Sequence, residues 1–334
     1  MGDFPVKNRY ICPMAYTFMF YNLENLDDTV DDPMTEDDAF TPMGDKRWTR
    51  DKYLKKLANL SEIFSAVASA HNGFPVVAGV SEVENLKVLQ DLVAQKRMTG
   101  AHYKCLHFES NDARGVEVGM LYRPDKFTLM GCEPLKLNLR SGREYIGRDI
   151  LAAWGAVDGE MFAFYICHFL SRRGGVASSA GFRRAGAETA RDHAAELRRM
   201  YPDIKVVIMG DMNDSPSDDS LSQLLRAHKT IFNVPEGEYF NPFWMLSDEG
   251  QGTSVHNHRW VLYDNIIVSH NMLPTWPDLK GFRVVRLDGK NHYGEIFRRN
   301  FMLRKGTPRR SYYGNTFDDG YSDHLPVLIK IDRR

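Results

Sequence analysis

Several short apolar runs in this chain end on a carboxylate, an amide or an imidazole: Asn22, Glu82, His168, Asp211 with Asn213, Asp264, and Asp323 with His324. Two of the runs are especially plain. Val206-Val207-Ile208-Met209-Gly210-Asp211-Met212-Asn213 is one, and Tyr321-Ser322-Asp323-His324-Leu325-Pro326-Val327 is the other. Taken singly, a glutamate after an apolar run is a helix cap or ion-pair partner, and a strand-end histidine is a satisfied core group. The recurrence of one pattern along the whole chain is what points to a shared site. Strand ends are where sheets present such groups. Oxygen ligands suit a hard divalent ion, and carboxylates and imidazoles can move protons or donate to developing charge. Hydrolysis of a phosphoester needs those parts together: a metal, a base for water, donors for the phosphoryl oxygens and an acid for the leaving group. No Cys/His cluster of the kind zinc prefers is present, so Mg²⁺ is the expected ion, with Mn²⁺ as the alternative.

The elements that must position these groups are legible from periodicity. Strands are expected over 17–25, 74–80, 116–122, 127–131, 150–157, 161–168, 205–209, 263–269 and 327–331. Apolar residues recur at three and four from Tyr53 to Val67, predicting an amphipathic helix over 49–70 with Thr49 as its cap. Helices are also expected over 86–95 and 181–200. Several strand pairs lie too close in sequence for a helical crossover, so the fold class is a mixed α/β sandwich and not an all-parallel doubly wound sheet. The run 27–38 carries seven acidic residues but lacks the ligand offsets and turn glycine of a calcium loop, and is expected to be a solvated loop.

The 334 residues are 43% hydrophobic and 12% aromatic, ample for a large core. We read them as a single unit over 1–334, with an N-terminal extension over 1–15 and an irregular insertion over 273–317. Lys and Arg number 43 against 44 Asp and Glu, so no global basic field calls for nucleic acid, and any polyanion would meet a local patch. The cysteines Cys12, Cys105, Cys132 and Cys167 are far apart in or beside apolar runs and read as buried free thiols. No stretch has the length of a membrane span, and Met1 to Arg9 lacks the apolar segment of a signal peptide. The expected location is cytoplasmic by default, or secreted or periplasmic if a leader has been trimmed. No protein partner is implied.

Phe20-Tyr21-Asn22-Leu23-Glu24-Asn25, Ser81-Glu82-Val83-Glu84-Asn85, Cys167-His168-Phe169-Leu170-Ser171-Arg172-Arg173, Gly210-Asp211-Met212-Asn213-Asp214, Leu262-Tyr263-Asp264-Asn265-Ile266 and Ser322-Asp323-His324-Leu325-Pro326 resemble, in order and over nearly the whole chain, the endonuclease/exonuclease/phosphatase superfamily, in a bacterial-type form. The resemblance implies a four-layer sandwich, the deoxyribonuclease-I-like fold: two mixed β-sheets face to face, with helices on both outer faces. It also implies roles. Glu82 is the metal glutamate, with Asp323 and Asn22 as direct or water-mediated ligands. Asp211 orients or deprotonates the attacking water, and Asn213 holds water or a phosphate oxygen. His324 donates to a non-bridging oxygen, and Asp264 fixes its tautomer. His168 serves the leaving group as acid or donor.

Four further residues are candidates. Glu117 could back His168, Arg148 could meet phosphate or form a structural ion pair, and Arg172 with Arg173 could reach a substrate phosphate. The resemblance leaves the substrate open. Glu84 stands where nucleic-acid-cutting relatives carry a basic residue, which favours a small or lipid-linked phosphate. The insertion interleaves Arg283, Arg286, Lys290, Arg298, Arg299, Arg304, Lys305, Arg309 and Arg310 with aromatics, which favours a nuclease acting on DNA or RNA if those cations are free. A non-catalytic phosphate-binding scaffold is the remaining alternative, disfavoured because Glu82 and the Asp211–Asn213 pair are both kept.

Overall fold

The computed structural model describes residues 15–139, 145, 147–276, 281–287 and 291–333. Cys12, Lys290 and nearly all of the expected N-terminal extension lie outside them. One seven-stranded mixed sheet holds β1 (Tyr16–Leu26), β2 (Val77–Val83), β3 (Lys104–His107), β4 (Glu117–Tyr122), β14 (Phe282–Val284), β15 (Gly294–Ile296) and β20 (Val327–Arg333). Its order is β14-β20-β1-β2-β4-β3, with β15 also on β20. A second, in the order β5-β6-β7-β8-β13-β10-β9, holds β5 (Phe127–Leu135), β6 (Ile150–Val157), β7 (Glu160–His168), β8 (Lys205–Asp211), β9 (Ala227–His228), β10 (Tyr239–Phe240) and β13 (Asp264–Ser269). Three small ribbons complete the strands: β11 (Ser254–His256) with β12 (Arg259–Val261), β16 (Leu303–Arg304) with β17 (Thr307–Pro308), and β18 (Tyr312–Tyr313) with β19 (Thr316–Phe317).

Side-chain alternation assigns the layers. Along β1, Phe18 and Phe20 enter the core between the sheets, where they join Phe164, Ile166, Val207, Met209 and Ile266. Met19 and Tyr21 point the other way, against Leu57, Leu60 and Phe64 of α1 (Arg50–Ala70) and Leu89 of α2 (Leu86–Val93). Along β8, Val206 and Ile208 leave the central core and meet Ala187, Ala190 and Ala194 of α3 (Val176–Met200). The helical fourth element, α4 (Trp244–Asp248), is one short turn whose Leu246 joins the central core. The result is the four-layer sandwich of helix, sheet, sheet, helix. Strands buried on both faces explain why β1, β2 and β8 read as unbroken apolar runs. At Gly79 the layers approach so closely that a Cβ would sit 2.8 Å from both Ile166 Cδ1 and Met209 Sδ.

Topology brings the polar strand ends together. Strands β1 and β2 are parallel and joined through α1; β7 and β8 are parallel and joined through α3. In register Asn22 lies beside Ser81, and His168 beside Asp211. The antiparallel β13 begins at that same end, with Asp264 opposite Asp211, and β20 begins there with Val327 opposite Phe20.

Some local expectations are revised. Helix α3 starts at Val176, five residues before the expected 181, and α1 takes Thr49 as its cap residue without a side-chain hydrogen bond. The 273–317 stretch is not irregular throughout: β14 and β15 extend the first sheet along β20. The acidic 27–38 run is not wholly solvated. Asp27 and Asp37 are buried, and Trp48 Nε1 donates to the Asp27 carbonyl at 2.9 Å. Burial, with Glu84 and Glu82 nearby, holds the Asp27 carboxyl well above the usual range. Among the described residues no helix is long and apolar enough to cross a membrane, and the cysteines Cys105, Cys132 and Cys167 are free.

Candidate active site

The turns that carry the site are strained and held by the site's own side chains. Glu24, Asn25, Glu82 and Asn213 all have positive φ, between 48° and 58°, a region that costs a non-glycine residue roughly 1 kcal/mol or more. Asn22 Oδ1 accepts from the Glu24 N–H at 2.9 Å, Glu82 Oε2 from the Asn25 N–H at 3.0 Å, and Asp211 Oδ1 from the Asn213 N–H at 3.0 Å. Each bond stabilises a turn and aims a carboxylate or amide. Gly210, just before Asp211, has no substitute: a Cβ there would lie 2.1 Å from the Cys167 carbonyl oxygen.

Glu82, His168, Asp211, Asn213, Asp323 and His324 line one cavity of about 330 Å³. Asn22 lies beneath it, donating from Nδ2 to Asp211 Oδ2 at 3.2 Å and Glu82 Oε1 at 3.4 Å. Around Asp211 Oδ2, His168 Nε2 stands at 3.7 Å and His324 Nε2 at 3.9 Å, while His168 Nε2 is 4.0 Å from Glu82 Oε1. On its far side His324 Nδ1 is 2.7 Å from Asp264 Oδ2, and Thr253 Oγ1 donates to that same oxygen. Asp264 itself is fully buried.

The environments divide the labour. Burial, reinforced by the Asp264 charge, pushes the Asp211 carboxyl up to about 7, a value suited to accepting a proton from water near neutrality. Burial alone would lower His324, but Asp264, Asp211 and Asp323 outweigh it and hold the imidazole well above its ordinary range, as a cation. His168 is driven the other way by burial and by Arg148 and Arg114, and stays neutral. Because its Nε2 faces two carboxylates, the favoured tautomer carries the proton there.

Of the remaining sequence candidates, Arg173 lines the cavity and has no side-chain partner among the described residues. Arg172 also lines it, yet its Nε donates to the Asn213 carbonyl at 2.6 Å, its Nη2 binds Asp214 and Asp218, and it lies 5.1 Å from the Tyr263 ring. It clamps the Asp211–Asn213 turn and is not a free substrate fork. The substrate-contact expectation for Arg148 is corrected: it is 3% exposed, donates through Nε to the His168 carbonyl at 3.3 Å, and lies 3.8 Å from Asp112. It fixes the end of β7 from behind. The partnership expected between Glu117 and His168 is corrected as well. Glu117 accepts from Ser110 Oγ at 2.6 Å, and His168 Nδ1 is buried without a hydrogen-bond partner among the described residues. Glu84 does not confront the cavity, because its carboxylate takes the Asp28 N–H and turns into the 27–38 loop. Sequence reasoning missed Arg114, His256 and Tyr263 as lining residues and Arg310 as a wall of the site. Arg310 donates to Asp323 Oδ2 at 2.9 Å and Glu24 Oε1 at 3.1 Å, and nothing local to its sequence signals that.

A divalent ion fits these residues. Glu82, Asp211 and Asp323 turn carboxylates to one cavity, and the Asp211 carboxyl is raised by burial and by the Asp264 charge; a hard cation relieves groups so placed. Ligand atoms of Asp211, Asp264 and His324 lie within 4.8 Å of one another. That trio is the poorer holder, because Asp264 is fully buried and its Oδ2 is already engaged by Thr253 Oγ1 and His324 Nδ1. Glu82 and Asp323 line the cavity, with Asn22 below them.

The match to known proteins agrees with this architecture. The chain belongs to the endonuclease/exonuclease/phosphatase family, whose model matches residues 17–333. Enzymes of this family hydrolyse phosphoester bonds and generally use divalent metal ions. No protein of curated function matches the chain significantly. Among solved structures, truncated Caenorhabditis elegans TDP2 aligns with a TM-score of 0.56 at 15% identity over 96% of this chain and 98% of that one. A mannosyl-6-phosphatase of Bacteroides thetaiotaomicron aligns with 0.55 at 17% identity over 95% and 99%, and the human Nocturnin catalytic domain with 0.56 at 12% over 96% and 95%. At such identities the likeness is one of fold.

Proposed function

We propose that the protein is a Mg²⁺-dependent phosphoester hydrolase, with Mn²⁺ as an alternative ion, acting on a small or lipid-linked phosphate and not on long duplex nucleic acid. Glu82, Asp323 and Asn22 would hold the ion, which when bound neutralises phosphoryl charge and polarises the phosphorus centre. Asp211 orients water and takes its proton as oxygen attacks phosphorus. His324, kept cationic, donates to a non-bridging oxygen as negative charge builds. His168, kept neutral, offers its Nε2–H to the leaving-group oxygen. Asn213, whose Nδ2 is committed to the Phe169 carbonyl at 2.9 Å, holds the turn that aims Asp211.

One observation carries the substrate choice: the arginines of the basic, aromatic insertion are engaged within the chain, while Lys305 is exposed. Arg298 lies 4.3 Å from the Trp260 ring and Arg299 4.0 Å from the Phe297 ring; Arg304 pairs with Asp318, Arg309 donates to the Asp318 carbonyl at 3.1 Å, and Arg310 binds Glu24 and Asp323. Cations held by carboxylates and ring faces are less available to track a phosphate backbone. A family neighbour of the same fold is a mannosyl-6-phosphatase, consistent with a small substrate.

The test is a panel of plasmid DNA, single-stranded DNA, RNA, bis-p-nitrophenyl phosphate, p-nitrophenyl phosphate and inositol phosphates, each with Mg²⁺. Turnover of the small esters is expected. Efficient nicking of plasmid DNA at nanomolar enzyme would overturn the substrate choice.

A further inference from the structure

A second cavity, about 270 Å³, opens beside the catalytic one and shares Asn25, Arg173 and Arg310 with it. Its floor is aromatic: Phe40, Trp48 and Tyr312 pack edge-on or tilted, with centroids 5.9 to 6.4 Å apart. Its charge is unbalanced. Lys46 Nζ meets the Gly314 carbonyl at 2.6 Å and Asn315 Oδ1 at 3.1 Å and lies 5.2 Å from the Tyr312 ring centroid, but no carboxylate lies within ion-pair reach of it among the described residues. Arg173, at the junction of the two cavities, likewise has no carboxylate partner among them. Glu24 is the one carboxylate lining the pocket among the described residues. It is buried, and its oxygens already accept from Arg310 Nε and the Ser311 N–H. The pocket therefore offers two cations without carboxylate partners among the described residues, above an apolar floor and in direct continuity with the proposed phosphoryl site.

We propose that this side pocket recognises a second anionic group on the substrate, so that the preferred ester is a bisphosphorylated small molecule. Its scissile phosphate occupies the catalytic cavity, its ring or chain lies against Phe40 and Tyr312, and its other phosphate lies between Lys46 and Arg173. The two cavities joined fall in the range of an ordinary small-molecule site, roughly 300–1,000 Å³. The proposal rests on the phosphoester reading, but it is tested by binding, which does not require turnover.

The experiment compares fructose 6-phosphate with fructose 1,6-bisphosphate, and adenosine 5′-monophosphate with adenosine 3′,5′-bisphosphate. Calorimetry in EDTA, where the proposed chemistry is stopped, gives the ratio of affinities within each pair. In the wild-type protein the bisphosphates should bind about tenfold or more tightly, as expected for one added charge-assisted contact. The ratio should fall below about threefold in Lys46→Met and return in Lys46→Arg. Equal affinity within both pairs for the wild-type protein would overturn the proposal, as would a ratio that survives Lys46→Met. If the bisphosphate preference holds while neither the bisphosphates nor any ester of the panel is hydrolysed with Mg²⁺, the pocket stands and the catalytic reading fails.

Discussion

The His324 ring is held from behind at 2.7 Å by Asp264, a fully buried carboxylate that touches no part of the cavity, while its other nitrogen faces Asp211 at 3.9 Å. Asp264 therefore acts through His324. Asp264→Asn should lower kcat by on the order of 10²-fold while changing KM little, since it disturbs the donor's orientation and charge and not substrate contact. Steady-state kinetics on a p-nitrophenyl ester would check this, and a loss confined to KM would reassign the pair to substrate binding.

The site is locked to the first sheet by a buried lysine. Lys56 of α1 is 1% exposed and donates to Ser311 Oγ at 2.5 Å, the Tyr321 carbonyl at 2.8 Å and the Glu24 carbonyl at 3.2 Å. Lys56→Met would leave these acceptors without that donor and remove a cation 3.8 Å from the buried Glu24 carboxylate. The expected cost is about 3 kcal/mol, read as a fall in the denaturant midpoint. An unchanged midpoint would contradict the lock.

Arg183 plays the matching part on the second sheet. It is buried, and donates to Asp214 Oδ1 at 2.7 Å, Ser179 Oγ at 2.6 Å and two carbonyls, while Asp214 also binds Arg172. Arg183→Met strips the shared carboxylate of one cation and should cost about 3–5 kcal/mol. Thermal unfolding would show it, and a variant as stable as wild type would mean that Arg172 alone satisfies Asp214.

Glu117 gives a pH signature. Burial, helped by Asp112 and opposed by Ser110 and Arg148, raises its carboxyl to about 7 from an ordinary 4.5. A carboxyl raised on folding binds more protons in the native state, so its favourable contribution is complete below about 4.5 and is lost as pH rises through about 7. Glu117→Gln cannot ionise. Wild type should therefore lose on the order of 2 kcal/mol relative to this variant between pH 5 and pH 8, measured by urea unfolding. A difference that stays flat with pH would show Glu117 to be unperturbed.

Much of this architecture is legible in the sequence because burial on both faces writes itself as unbroken apolar runs. Strands β1, β2 and β8 could be placed, and with them Asn22, Glu82 and Asp211. Pairings across long separations are not written in any local pattern. The Asp264–His324 bond joins residues 60 apart, and Arg310 reaches Glu24 across 286. The misreadings share one cause, which is that the type of a charged residue does not disclose its partner. Arg148 and Arg172 looked like phosphate donors but serve the backbone and carboxylates around His168 and Asn213. Whether the insertion's arginines were free was open in the sequence, and they are paired or stacked, while Glu84 looked cavity-facing but caps the acidic loop.

The central claim is that the carboxylates at the strand ends hold a divalent ion for phosphoester hydrolysis. The most direct measurement is hydrolysis of bis-p-nitrophenyl phosphate and p-nitrophenyl phosphate by wild type and Glu82→Gln, with Mg²⁺ and with EDTA. Activity should be abolished in EDTA and restored by Mg²⁺, and Glu82→Gln should lose on the order of 10²-fold or more in kcat/KM with Mg²⁺ present. Full activity of the wild-type protein in EDTA, or a Glu82→Gln variant as fast as wild type, would contradict the account.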